Sequence, residues 1–248
     1  GKWNTMKEQV LRPTMNDRRA APGFTFKKAV ELEQKLSDQE LAATEESILN
    51  EAQEFLSSME QEDVREESYQ KMILHTRDVL EETLQQQTKM DYIDLKELQS
   101  IYKQISVASS LAKEENYEIP VQLGEEITSI NLKIVHGTVN KGEVRITMDT
   151  EEFGKVDARF VETSNGLEGS ILTDYMDGKE ILQKHSDKLQ QAINDALKET
   201  KTELKSIFFG VNEKLDINTL EKGERDVQTN ISLLYKVAKE FIYYVKEV

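Results

Sequence analysis

Apolar and polar positions follow two rhythms along this chain, and the change from one to the other falls near residue 120. Before it, apolar residues recur at helical spacing. Leu41, Ile48, Leu49, Ala52, Leu56 and Met59 follow Ser37-Asp38-Gln39-Glu40, which has the form of a capping box, so a helix is predicted to start there. Val64, Met72, Ile73, Val79, Leu80 and Leu84 predict a second helix. Asp94-Leu95-Lys96-Glu97 opens a third, striped by Leu98, Ile101, Tyr102, Ile105, Ala108, Leu111 and Ala112. Such stripes pack on one another, so a helical hairpin or bundle is expected over 27–118. Ile119-Pro120 is read as its end, because the residue before proline avoids the helical conformation.

After that point the period becomes two. Ile130, Leu132 and Ile134 alternate with polar residues, then Val144, Ile146 and Met148, then Val156, Ala158 and Phe160. Asn165-Gly166 is a type I′ hairpin signal, and Leu167, Gly169, Ile171 and Thr173 complete a meander. One apolar and one polar face mark an antiparallel sheet covered on one side. The predicted cover is a helix from about Asp177 carrying Ile181, Leu182, Leu189, Ala192, Ile193, Ala196 and Leu197. Ile207, Phe209 and Val211 form a last strand. A terminal helix carries Ile231, Leu234, Val237, Ala238, Phe241, Ile242 and Val245, apolar enough to require docking on the core or on a second chain.

Glycine and proline sharpen this division. Between Gly23 and Gly124 the only such residue is Pro120, whereas seven of the eleven glycines lie from Gly124 to Gly178. The fold class expected is therefore α+β: helices first, a small mainly antiparallel sheet packed on a helix, and an extra C-terminal helix. Charge adds a basic start, with Lys2, Lys7, Arg12, Arg18, Arg19, Lys27 and Lys28 against Glu8 and Asp17, read as a flexible arm over 1–26. Residue 1 is not Met, so the natural chain is expected to extend upstream. The net charge of −15 disfavours nucleic acid and anionic lipid as partners. No apolar run is long enough for a membrane span, so no membrane insertion is expected. Oligomeric state is not assigned.

Candidate chemistry is sparse. Cysteine is absent, which removes thiolate chemistry. His75, His136 and His185 stand far apart without a second ligand at metal-site spacing. Neither a Gly-x-Ser-x-Gly elbow nor a phosphate-binding loop occurs. Asp174 and Asp177-Gly178 lack the oxygen series of a calcium loop. The expectation is a non-enzymatic protein with no cofactor, against the alternative of a hydrolase with converging carboxylates.

The stretch from Val144 to about Val211 resembles the carboxy-terminal domain of flagellar hook-length control proteins. Ile146-Thr147-Met148 supplies a first strand and Phe153-Gly154 stands where that family has Leu-Gly. Val156, Ala158 and Phe160 continue the next strand, Leu167, Gly169 and Ile171 the one after, and Leu182, Leu189 and Ile193 the helix. The family's turn proline is absent, replaced by Thr150-Glu151-Glu152. The resemblance implies a β-β-β-β-α-β domain over 119–216; the helix over 228–248, expected to dock on the core, is extra to the family's pattern. It also implies a protein-recognition role in switching the substrate specificity of flagellar type III export. The implied partner is the cytoplasmic domain of the export gate, and the implied location is the cytoplasm, with passage through the export apparatus. Contact is expected at an exposed sheet edge or at the turn, with Phe153, Gly154 and Val156 as candidate partner-binding residues. The alternative is a helical chaperone-like or structural adaptor protein.

Overall fold

The computed structural model describes residues 25–38, 47–86, 95–137, 140–217 and 229–248. Helices α1 (Thr25–Asp38), α2 (Ile48–Ser58), α3 (Glu62–Gln85) and α4 (Leu95–Ala112) come first. Strands β1 (Asn116–Leu123), β2 (Glu126–Val135), β3 (Gly142–Thr150), β4 (Gly154–Thr163) and β5 (Gly166–Thr173) follow. Then come α5 (Met176–Gln183), α6 (Ser186–Ala196), β6 (Leu204–Val211) and α7 (Ile231–Glu247). The fold is α+β, with seven helices among the described residues and one mixed six-stranded sheet ordered β1 to β6.

Strands β1 to β5 form an antiparallel meander, whereas β6 lies parallel to β5, after a crossover through α5 and α6. The register sets one apolar row across four strands: Leu132, Ile146, Ala158 and Ile171. That face is covered jointly. The N-terminal helices pack over β1 and β2, α7 crosses the middle strands, and α5 and α6 lie by β5 and β6. Phe160 of β4 and Phe241 of α7 meet at 5.8 Å between ring centres. One apolar cluster runs from Phe26 to Val245, so the helices and the sheet share a single core. The cover predicted from the segment after Asp177 is thus only its outer part, and the docking of the terminal helix is the central part.

Three sequence expectations change. Ser37 and Asp38 close α1 rather than open a helix; the next described helix is capped by Ser47, whose hydroxyl accepts from Asn50 N at 3.1 Å. Residues 39–46 lie outside the described residues. So do Asp94 and the basic arm predicted over 1–26, apart from Thr25 and Phe26. Second, Pro120 does not end a helix. It sits inside β1, an unforeseen strand, so the boundary drawn at 118/119 falls within that strand and the meander has five strands, not four. Third, the helix expected after Asp177 is two helices, with His185 at the N-cap of the second.

Candidate functional site: an open sheet edge

A sheet of six strands has two edges, and these two are treated differently. At β1 the backbone groups of Glu118 point away from β2 into the protein. The Tyr69 hydroxyl donates to Glu118 O at 2.8 Å and accepts from Glu118 N at 3.2 Å. Burial raises the Tyr69 pKa well above its ordinary value, so the hydroxyl remains a donor. By the alternation of the ladder Pro120 faces the same way, and it has no N–H to offer. Tyr69 and Pro120 thus block the middle of the β1 edge.

At β6 closure stops after two residues. Asn194 of α6 takes both backbone groups of Leu204, accepting from its N at 2.7 Å and donating to its O at 3.2 Å. Gln190 donates to Lys205 O at 3.3 Å. Farther along, Asn212 N donates to Thr173 O, which fixes Asn212, Gly210 and Phe208 as facing β5. The backbone groups of Ile207, Phe209 and Val211 therefore face outward, and no described residue pairs with them. Phe208 stands 63% exposed on the sheet's open face beside them. Its ring lies against Gly210, where an added Cβ would fall 2.8 Å from Phe208 and 3.0 Å from Leu172. Phe208, Gly210 and Leu172 thus make a small apolar patch along an unpaired strand, an arrangement that templates pairing with another chain.

The predicted contact residues behave otherwise. Phe153 and Val156 are buried in the core. Gly154 has φ +71°, and a Cβ there would fall 2.3 Å from Asp174 Oδ1. Asp174 also accepts from Lys155 N at 3.0 Å, and Phe153 N donates to Thr150 Oγ1 at 2.9 Å. The start of α5 presses on the turn so closely that a Cβ at Gly178 would lie 2.2 Å from Phe153 O. These interactions lock the β3–β4 turn to α5. The side chains of Phe153 and Val156 point into the core.

The sheet's polar face carries a second cluster. Arg145 and Asp157 form a bidentate pair, Nε to Oδ1 at 3.1 Å and Nη2 to Oδ2 at 3.0 Å, with side chains 4% and 3% exposed. Glu118 accepts from Ser129 at 2.7 Å and from Asn131 at 2.9 Å. Burial outweighs these two bonds and raises the Glu118 pKa to about 7. A third cluster joins three helices: His75 Nε2 lies 2.7 Å from Glu33 of α1, and Nδ1 lies 2.7 Å from Glu51 of α2. The Glu33 contact leads in raising the His75 pKa to about 9 against the opposing effect of burial. Glu33 also accepts from Ile48 N at 3.0 Å, so the clamp doubles as a support for the start of α2.

Comparison with protein-family models, with curated proteins and with solved structures finds no match. Among the described residues no group of three or more His, Asp or Glu is placed to hold a metal ion, and no helix is long and apolar enough to cross a membrane. The period-two pattern of Ile207, Phe209 and Val211 is visible in the sequence, but the position of β6 at an edge is not. The partners of His75 are equally hidden, because they come from two other helices.

Proposed function

We propose that this chain is a protein-recognition module that receives an extended segment of a partner as a further strand on β6. The asymmetry of the two edges carries this reading. One edge is blocked at its middle by Tyr69 and Pro120, while the other leaves Ile207, Phe209 and Val211 facing outward beside an exposed phenylalanine. In strand addition the main chain supplies affinity and a side-chain contact supplies selectivity, here through Phe208. The chaperone-like alternative has less to stand on. Among the described residues, the exposed large apolar side chains of the N-terminal helices are only Leu74 and Leu95.

The resemblance of Val144–Val211 to the hook-length control domain supplies the candidate partner, the cytoplasmic domain of the flagellar export gate, and with it a role in export switching. Calorimetry of the full chain against that domain from the same organism is the test. Binding in the micromolar range is expected. Phe208→Ala, a change at an exposed position, should weaken it roughly tenfold without altering the melting curve. Ile207→Pro, which removes an outward N–H, should weaken it further. No binding by the folded chain, or binding indifferent to both changes, overturns the proposal.

A further inference from the structure

The open part of β6 is bounded by the Asn194 and Gln190 caps at Leu204 and Lys205 and by the strand's end at Val211. Its outward groups belong to Ile207, Phe209 and Val211, so it is centred on Phe209. An antiparallel strand laid on it about that centre can be β6 of a second copy, related by a two-fold axis. In this register Phe209 faces Phe209, Ile207 faces Val211 and Phe208 faces Gly210, while Lys205, at the irregularity before the open part, and Glu213, in the turn just after it, flank the paired segment from opposite copies. The outward residues then fall in hydrogen-bonded pairs, each exchanging both backbone bonds. Each Phe208 ring already lies over Gly210 of its own strand, so the apolar patches of the two copies meet across the axis. Lys205 and Glu213 are both exposed, neither is in an ion pair among the described residues, and symmetry brings them together twice.

Neighbouring two-fold registers are worse. Moving the centre to Phe208 sets Glu203 against Glu213, and moving it to Gly210 sets Lys205 against Leu215 and Ile207 against Glu213. These registers keep the same residues on each face, so the flanking charges decide between them.

We propose that β6 pairs with β6 of a second copy of this chain, antiparallel about Phe209. This inference rests on reading β6 as the binding edge and gives that edge a regulator: self-pairing and partner binding exclude each other. The net charge of −15 on each copy and the small area of an edge contact make the pair weak and transient. A partner then binds with an apparent affinity reduced by the fraction of chain that is unpaired.

The test is sedimentation equilibrium of the full chain, without any partner, from about 5 to about 500 μM, the range suited to a weak interface. The wild-type mass should rise towards that of a dimer. Lys205→Glu alone and Glu213→Lys alone should each weaken association on the order of tenfold or more, since two attractive pairs become repulsive. The double change should restore it. Matched circular dichroism melts verify that each variant folds. A chain that stays monomeric throughout, or a dimer indifferent to both single reversals, overturns the inference. Partner binding by a chain that never dimerises leaves the recognition reading standing and removes only the self-pair. Dimerisation as described without partner binding does the reverse.

Discussion

Replacing His75 with Gln removes the cation held between two nearly buried carboxylates while preserving most of the side-chain volume. The side chains of His75, Glu33 and Glu51 are 10%, 11% and 5% exposed, so solvent screens the contacts little. The folded pKa of about 9 against the ordinary 6.5 is a shift of 9 − 6.5 = 2.5, which corresponds to an upper bound of roughly 3 kcal/mol. The sign follows from the raised value. The folded state holds the proton more tightly, so the contribution is complete below pH 6.5 and is lost as pH rises through about 9. Urea unfolding followed by circular dichroism at pH 6, 7.5 and 9.5 measures it. His75→Gln should be about 2–3 kcal/mol less stable than wild type at pH 6, and the gap should narrow towards pH 9.5. Glu118 also titrates in this range but is present in both proteins and cancels in the difference. A gap that stays constant across the three pH values would refute the reasoning, because the loss would then come from packing and not from charge.

Glu118→Gln should stabilise the protein by about 2 kcal/mol at pH 8 and much less at pH 5, read from the same urea curves. The acid's pKa is raised from 4.5 to about 7, so wild-type stability is complete below 4.5 and falls as pH rises through 7; the amide still accepts from Asn131 and can donate to Ser129. Equal effects at both pH values would mean that the charge on Glu118 is not what costs stability. Tyr69→Phe should cost about 1–2 kcal/mol by leaving both backbone groups of Glu118 without their partner, while ring packing on Phe55 and Tyr117 at 5.1 Å is retained. An unchanged urea midpoint would show that the β1 edge does not depend on this hydroxyl. Gly154→Ala should lower stability by about 2 kcal/mol or more, since it combines φ +71° with a collision at Asp174, and a neutral melting temperature would show that the turn is not clamped.

Much of the sheet was legible in the sequence because β2 to β5 obey a strict period of two with glycines at the turns. The terminal helix was legible for the corresponding reason at helical spacing. What escaped notice had competing signals. Pro120 reads as a helix terminator until the outward-facing position on an edge strand is known, where a missing N–H costs nothing. Helix α1 falls within the helical region expected from residue 27, but its own apolar stripe of Phe26, Ala29, Val30 and Leu36, all buried, is broken up by the charged residues around it. The break between α5 and α6 carries no glycine or proline at all. For the site, the Phe153-Gly154 pattern marked a real constraint, but one that serves packing against α5. The open edge depends on which strand lies outermost and on two amides of α6, neither of which is a property of local spacing.

The most direct measurement is amide hydrogen exchange at Ile207, Phe209 and Val211, on the full chain in dilute solution, with and without saturating cytoplasmic domain of the export gate. Rapid exchange is expected at these three amides in the dilute free chain, and strong protection once the proposed partner is bound. Protection already present in the dilute free chain, or exchange unchanged at saturation, would contradict the proposal.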